Sequence, residues 1–217
     1  MSLLTATHRE HIAALRRLPA IIDHEGLRLG DQYVMFFAEA GLMRGHVAHL
    51  VDGVNRPDVL EVGLGLGVFA EQLVRVGVGS YTAIEPHEGV VNLARQRVLR
   101  EFGSVATVIT EPWQIVSLSA DAYDAIMLDT WPPDGYADQD FTEFVERVAM
   151  PCLRPGGRFS FFHSGIALTE TRRQVLDQYF GSWTLHHYTL PVAETPAHWT
   201  KPTRDFLIPI ATTRGGS

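Results

Sequence analysis

Short apolar strands alternate with amphipathic helices along most of the chain after residue 57. Repeated strand–helix–strand units wind right-handed and build a parallel sheet covered by helices on both faces. The last two predicted strands have no long helix between them and should pair as an antiparallel hairpin, which makes a seven-stranded, mixed and mostly parallel sheet. The predicted strands are 58–62, 80–84, 105–110, 123–128, 158–163, 184–192 and 205–212, and the predicted helices are 68–75, 87–102, 141–153 and 169–180. The fold class is therefore α/β.

The first 52 residues lack this alternation. Residues 1–30 are predicted to form a helix and a connector, and residues 31–51 a second helical stretch with a broken apolar stripe. We expect segment 1–52 to form a helical lid on a core of residues 53–217, within one structural domain overall.

Composition narrows the classes of function. Eighteen basic against 25 acidic residues give a net charge of −7, which argues against nucleic-acid binding because that needs a basic face. One cysteine excludes an intrachain disulfide and a cysteine-based zinc site, and we expect no metal. Residues 1–10 lack the apolar core of a signal peptide, and no apolar run is long enough to span a bilayer. We expect a soluble cytoplasmic protein that does not bind membranes, as a monomer or a homodimer.

Ligands of such sheets bind outside the carboxyl ends of the strands, where the strand order reverses. The residues that follow the predicted strands are therefore the candidates for a site. They are glycines, polar residues or a tryptophan, apart from the two leucines of the glycine loop: Gly63, Leu64, Gly65, Leu66, Gly67, Glu85, Trp113, Gln114, Asp129 and His163.

The glycine loop permits a tight turn and a close backbone approach to a ligand. Begun at Gly65 it reads G-x-G-x-x-A, which leaves a nicotinamide cofactor open. A carboxylate inside a buried strand is costly without a partner, so Glu61 is expected to accept hydrogen bonds from a ligand's ammonium group or to orient the loop. Glu85 ends the second strand, where an acidic residue binds ribose hydroxyls. Trp113 can cover an adenine ring, and Gln114 can bond its edge.

Residues 58–212 resemble the class I S-adenosylmethionine-dependent methyltransferases. Three features carry the resemblance: V-L-E-V-G-L-G-L-G from Val59, Glu85 after the next strand, and L-R-P-G-G-R-F from Leu153. The resemblance implies a Rossmann-like fold, S-adenosylmethionine as the cofactor and S-adenosylhomocysteine as its product.

Three further segments resemble guanidinoacetate N-methyltransferase. They are L-D-T-W-P from Leu128, V-M-x-x-x-E-x-x-x-M from Val34, and the layout of Pro191, Val192 and Pro209. Two departures stand out: Trp131 replaces the family's tyrosine, and no tryptophan precedes Trp113. His163 and Ser164 also replace a different polar pair.

This resemblance implies a role for each matching residue. The implied cofactor-binding residues are Met35, Met43, Glu61, Gly63, Leu64, Gly65, Leu66, Gly67, Glu85, Pro86, His87, Trp113, Gln114 and Asp129. The implied substrate-binding residues are Glu39 and Asp129, and we expect Trp131, His163 and Ser164, at positions where the chain departs from the family, to bind the substrate as well. Glu39 and Asp129 would be the catalytic pair that grips the guanidino group.

The chemistry of a guanidine favours two carboxylates at such a site. A guanidinium is cationic, with a solution pKa above about 12, so its nitrogens are poor nucleophiles. Carboxylates neutralise the cation, and their geometry matches its planar fork. We predict that Asp129 takes the proton and Glu39 orients the acceptor. The predicted acceptor is a small molecule: guanidinoacetate, L-arginine or a related guanidine.

Other functions stay open from the sequence. A methyltransferase acting on another small hydroxyl or amine would use Asp129 but not Glu39. A polyamine aminopropyltransferase shares the fold, but we would expect an aspartate in the glycine loop, where Leu66 stands. A relative that binds the cofactor without turnover is the third alternative.

Overall fold

The computed structural model describes residues 4–215. Residues 1–3, at the start of the segment in which no signal peptide is predicted, and residues 216–217 lie outside the described part. Within the described part, no helix is both long and apolar enough to cross a membrane.

The N-terminal part combines helices with a small antiparallel sheet. Its elements are α1 (Ala6–Arg16), β1 (Ala20–Ile22), β2 (Gly26–Leu29), β3 (Gln32–Phe36), a 3-10 turn (Phe37–Glu39) and α2 (Ala40–Leu50). The predictions of a connector before residue 30 and of a helix from residue 31 were therefore wrong for β1, β2 and β3. Gly30, with a positive φ of 60°, and Asp31 form a two-residue turn that pairs Leu29 with Gln32.

The rest of the chain follows the predicted alternation. Its elements are β4 (Asp58–Val62), α3 (Val68–Val76), β5 (Ser80–Ile84), α4 (Glu88–Arg97), β6 (Ala106–Ile109), β7 (Tyr123–Leu128), α5 (Ala137–Phe144), α6 (Met150–Cys152), β8 (Leu153–Phe161), β9 (His163–Ser164), α7 (Glu170–Tyr179), β10 (Ser182–Thr189) and β11 (Asp205–Thr212). A π turn, Val145–Ala149, joins α5 to α6.

The main sheet has the order β10-β11-β8-β7-β4-β5-β6, and the short β9 pairs with β11. Strands β4 to β8 are mutually parallel where they pair, while β11 is antiparallel to both β8 and β10. The predicted Rossmann-like, mostly parallel sheet with an antiparallel C-terminal hairpin is thus confirmed. The chain leaves β4 towards β6 and returns to β7 on the other side of β4, so the strand order reverses between β4 and β7.

Both faces of the sheet are buried. Alternate residues of β4 enter opposite cores: Val59 packs with α2 and α3, and Leu60 packs with α5 and α7. Because the faces are covered, the carboxyl edge of the sheet is left to form a site. The division of the chain after residue 52 remains a proposal.

Candidate active site

The carboxyl ends of β4, β5 and β7 meet at one edge of the sheet. The Gly63 N–H donates to the Ile84 carbonyl at 2.9 Å, and the Asp129 N–H donates to the Val62 carbonyl at 2.8 Å. These bonds hold the glycine loop between Glu85 and Asp129, at the point where the strand order reverses. The structure thus brings together the strand-end residues that the sequence singled out.

Two glycines of the loop allow close packing on both of its sides. Gly63 has a φ of +92°, and a Cβ built on it would lie 1.6 Å from the Asp129 carbonyl oxygen. Gly65 has a φ of +50°, and its Cβ would lie 2.4 Å from the Met35 methyl carbon. The Leu66 N–H also points to the Met35 sulfur at 3.3 Å. A side chain at Gly63 would therefore clash with the backbone of Asp129, and one at Gly65 with the side chain of Met35.

A cavity of about 430 Å³ opens above this loop. Ten of the predicted site residues line it: Met35, Gly63, Gly65, Glu85, Pro86, His87, Trp113, Gln114, Asp129 and Trp131. Four predicted cofactor residues lie elsewhere. Met43, Leu64 and Leu66 are buried in the apolar core, and Gly67 caps α3 in the left-handed conformation.

Glu61 also lies away from the cavity wall, inside β4. It is buried and accepts a hydrogen bond from the Tyr81 hydroxyl. Burial raises the pKa of Glu61 well above its ordinary value, although the Tyr81 bond lowers it. Within the described structure the hydrogen-bond partner of the carboxyl is Tyr81 rather than the glycine loop.

The part of the cavity beside the glycine loop presents a carboxyl group and an amide oxygen. The Glu85 carboxylate accepts the His87 N–H at 2.9 Å and the Gly65 N–H at 3.3 Å, which aims it across the glycine loop. Burial raises the pKa of Glu85, and these two N–H groups oppose the shift. The side-chain oxygen of Gln114 is buried without a hydrogen-bond partner within the described structure, beside Trp113 on the wall. An adenine amino group would satisfy that oxygen.

Helix α1 lines one side of the cavity. His8 is buried, donates from Nε2 to Asp140 at 2.8 Å and bonds Thr5 through Nδ1 at 2.6 Å. Arg16 donates to the Pro86 carbonyl at 2.6 Å, next to Glu85. Burial raises the pKa of Asp140, and the His8 contact opposes that shift. The sequence offered no local signal for the His8–Asp140 bond, because its partners are far apart in the chain.

A buried ion pair lies at another part of the cavity wall. Glu39 is 3% exposed; its Oε2 accepts the Phe36 N–H at 3.1 Å, and its Oε1 lies 3.1 Å from the Lys201 ammonium. Lys201, 19% exposed, also lies over the Phe162 ring at 4.3 Å from its centroid. Lys201 lines the cavity, whereas Glu39 lies behind it. Lys201 was not among the residues predicted from the sequence; the only signal was that it is the one lysine of the chain.

The charges of both Glu39 and Lys201 change the pKa of the Asp129 carboxyl. Burial raises the pKa of the Asp129 carboxyl from 3.8 to about 7. Lys201 lowers this pKa, while Glu39 and Glu85 raise it further. Asp129 therefore titrates near neutrality and can both accept and release a proton there.

A second cavity, of about 520 Å³, adjoins the first across Trp113 and Phe162. It contains the two remaining predicted substrate residues, His163 and Ser164. Arg172 bonds His163 Nδ1 at 3.1 Å, and the Ser164 hydroxyl is buried without a hydrogen-bond partner within the described structure. Burial lowers the pKa of His163, so this ring is neutral at pH 7.

Comparison with known proteins gives a family and a distant relative. A family model described as guanidinoacetate N-methyltransferase matches residues 25–187, about three quarters of the chain. A polyamine aminopropyltransferase from Escherichia fergusonii is 27% identical over 161 residues, which cover 69% of this chain and 55% of that protein. The chain thus spans little more than half the length of this curated relative.

Solved structures share the fold at low identity. The N-methyltransferase NodS from Bradyrhizobium japonicum WM9, solved with S-adenosyl-L-homocysteine, has a TM-score of 0.63 at 16% identity, covering 96% of this chain and 99% of that one. A tRNA methyltransferase from Aquifex aeolicus has a TM-score of 0.58 at 15% identity, covering 91% of each chain.

Proposed function

The chain belongs to the guanidinoacetate N-methyltransferase family of S-adenosylmethionine-dependent methyltransferases, and from this premise we propose that it methylates a guanidino nitrogen of a small molecule. The candidate acceptors are guanidinoacetate, L-arginine and related guanidines. One observation carries the proposal: Asp129 lies at the reversal point of the sheet, and beside it a second carboxylate, Glu39, already pairs with a cation, the ammonium of Lys201 at the cavity wall.

The cofactor half of the cavity is proposed to bind S-adenosylmethionine. Glu85 would hold the ribose, Trp113 and Gln114 the adenine, and the loop at Gly63 and Gly65 the methionine part. S-adenosylmethionine supplies an electrophilic methyl group on a sulfonium. The carboxylate form of Asp129, whose pKa is about 7, offsets part of the positive charge that the site must accept.

Asp129 is proposed as the base. A guanidinium nitrogen becomes nucleophilic only as it loses its proton, and a carboxylate with a pKa of about 7 is matched to neutral pH for that transfer. Asp129 would take the proton from the nitrogen that gains the methyl group. Glu39 would bind the other nitrogens, fix the plane of the guanidine and keep the remaining charge away from the reacting atom.

The adjoining cavity is proposed to receive the rest of the acceptor. Its Ser164 hydroxyl has no hydrogen-bond partner within the described structure and can donate to a ligand, whereas His163 already donates from Nε2 to the Ala167 carbonyl and accepts from Arg172 at Nδ1. The free hydroxyl suits an uncharged polar group of the acceptor.

A product screen tests the proposal. S-adenosylmethionine and a panel of guanidines would be incubated with the protein, and methylated products identified by mass spectrometry. Asp129→Asn should abolish turnover while S-adenosylhomocysteine still binds in calorimetry. Asp134→Asn, an exposed change in the same loop, is the matched control. Failure of S-adenosylhomocysteine to bind the wild type would refute the whole assignment.

The aminopropyltransferase relative gives a second candidate function. Such an activity would need an aminopropyl donor and an amine acceptor, so the same screen would include both. Leu66, in place of the expected acidic residue of the loop, favours methyl transfer. Formation of aminopropyl products without methyl products would establish the alternative.

Glu39→Gln separates the proposed acceptor from other methyl acceptors. Glutamine keeps an oxygen for the Phe36 N–H but removes the charge. A large loss of activity supports a cationic acceptor, whereas full activity points to a hydroxyl or an uncharged amine. Binding of the cofactor with no transfer to any acceptor would indicate a non-catalytic relative.

We also propose a small-molecule rather than a nucleic-acid partner, since the net charge is −7 and α1 covers the cavity. The cytoplasmic location and the choice between monomer and homodimer stay predictions.

A further inference from the structure

The Glu39–Lys201 ion pair blocks the path from the cavity to Glu39. Lys201 lines the cavity, while the Glu39 carboxylate is 3% exposed behind its ammonium. Glu39 Oε1 accepts no hydrogen bond from any other described group, and Lys201 at 3.1 Å is its charge partner. A guanidinium can therefore reach Glu39 only after this ammonium leaves.

The loop that carries Lys201, residues 195–204, is fixed on both sides of the lysine. The buried Glu25 carboxylate accepts the Ala197 N–H at 2.7 Å and the His198 N–H at 3.2 Å. The Trp199 indole N–H donates to the Thr203 carbonyl at 3.1 Å. Because the main chain is held, exchange of cations requires only a rotation of the flexible lysine stem.

Family membership does not assign a role to this residue. Lys201 lies beyond residues 25–187, the part that the family model matches. It is also the one lysine of the chain, so its ammonium can be followed chemically without interference from another lysine.

We propose that Lys201 is a specificity-determining residue: its ammonium occupies the acceptor's place at Glu39, and every acceptor must displace it. The inference rests on the proposed function. Displacement separates the ammonium from Glu39, and the guanidinium also competes with it for Asp129, so the ammonium loses its counter-charges in a partly buried place, which is unfavourable. An acceptor that carries its own carboxylate supplies a counter-charge. Lys201 therefore selects guanidino acids over guanidinium cations that have no anionic group.

Acetylation of the single lysine tests the displacement in the wild-type protein. The full chain, saturated with S-adenosylhomocysteine, would be treated with an N-hydroxysuccinimide ester, with the α-amino group as internal reference. Saturating ethylguanidine should raise the rate of Lys201 acetylation about fivefold or more, because it frees the ammonium. Guanidinoacetate should raise it less, because its carboxylate holds the freed ammonium. Sodium chloride at equal ionic strength is the control. An unchanged or lower rate with ethylguanidine overturns the inference.

Substitution tests the selectivity. In Lys201→Met, the ratio of kcat/KM for guanidinoacetate to that for ethylguanidine should fall about tenfold or more. Lys201→Arg should retain a preference for the acid, and Arg173→Met, which removes an exposed cation on α7, should leave the ratio unchanged. A ratio unaltered in Lys201→Met overturns the inference.

The outcomes separate this inference from the proposed function. The inference alone is refuted if the wild type methylates guanidines, ethylguanidine does not raise the rate of Lys201 acetylation, and Lys201→Met does not change the preference for guanidinoacetate. A wild type that binds S-adenosylhomocysteine but methylates no guanidine refutes the proposed function, while the acetylation rates still decide whether guanidinium displaces Lys201. If Lys201→Met does not fold, the acetylation rates of the wild type decide the question.

Discussion

Asp129 can be partly ionised at neutral pH and still be an effective base. It directly follows β7, at the point where the strand order reverses. Burial raises the pKa of its carboxyl to about 7, and the charges of Glu39 and Lys201 act on it. A carboxyl with an ordinary pKa would be ionised at neutral pH but would be a weak base. The raised pKa makes Asp129 a better proton acceptor without leaving it fully protonated.

We expect kcat/KM for the acceptor to fall as the pH drops below about 7, since protonated Asp129 cannot accept a proton. Asp129→Asn should lower kcat at least about 100-fold at pH 8, in the range typical of general-base catalysis, and its deficit relative to the wild type should shrink as the pH falls below about 7. The measurement is a rate profile from pH 5.5 to 9 with Asp134→Asn as the control. A profile that stays flat down to pH 5.5 would remove Asp129 from this role.

Gly63 and Gly65 should differ in their tolerance of alanine. In Gly63→Ala the new methyl group meets the backbone of Asp129 at 1.6 Å, so the loop or the strand end must move. In Gly65→Ala it meets the end of the flexible Met35 side chain. We expect Gly63→Ala to weaken S-adenosylhomocysteine binding by about 100-fold or to prevent folding, and Gly65→Ala to have the smaller effect. Calorimetry and circular dichroism check this, and equal losses would contradict it.

The sequence identified most of the residues at this edge but missed Lys201. Glu85, Trp113 and Asp129 each follow a strand, so a local pattern locates them relative to the sheet. The Lys201 contact joins the loop before β11 to the turn before α2. Only the tertiary fold brings these segments together, and no spacing in the chain encodes it.

The same contrast holds for whole elements. The bounds predicted for β4, β5, β7 and β11 agree with the structure, because strands buried on both faces give short apolar runs between turn residues, whether they pair parallel or antiparallel. The predicted helix over 31–51 was wrong in its first part. Apolar residues at 34, 35 and 37 suit a helix, but pairing with β2 through the Gly30-Asp31 turn imposes a strand.

Helix α1 depends on the bond from His8 to Asp140. We expect His8→Ala to leave Asp140 buried without its partner, to loosen α1 and to weaken S-adenosylhomocysteine binding about tenfold. His24→Ala, an exposed change nearby, is the control. Calorimetry and hydrogen exchange of α1 provide the measurement. Unaltered binding with faster exchange would show that α1 covers the cavity without contributing to affinity.

Across the whole molecule, the sheet concentrates buried acidic groups at one edge. Glu61, Glu85 and Asp129 all have raised pKa values, and burial is the largest cause for each. The protonated form of such a group is the one that the folded state favours. Its stabilising contribution is complete below the unfolded pKa, about 4, and is lost as the pH rises through the folded value.

Asp129→Asn should therefore stabilise the protein more at high pH than at low pH. The stabilising contribution of protonated Asp129 is lost as the pH rises from 3.8 to about 7. The difference in Tm between the variant and the wild type should grow by about 2 °C or more from pH 5 to pH 8. Scanning calorimetry of both proteins without ligand measures it, and Asp134→Asn should show no such trend. A Tm difference that does not change with pH would mean that folding does not raise the pKa of Asp129.

The anchoring of residues 195–204 has a consequence for how such a protein can diversify. This segment lies between β10 and β11, and the buried carboxylate of Glu25 holds it by hydrogen bonds to its main chain. Main-chain bonds do not depend on which side chains follow, so the segment can be replaced by another of similar length while the sheet and the donor half stay intact. A graft that retains Ala197 and His198 but changes the residue at 201 would alter the preference for the acceptor and leave the residues of methyl transfer unchanged. Acceptor preference and catalysis could then evolve independently of each other.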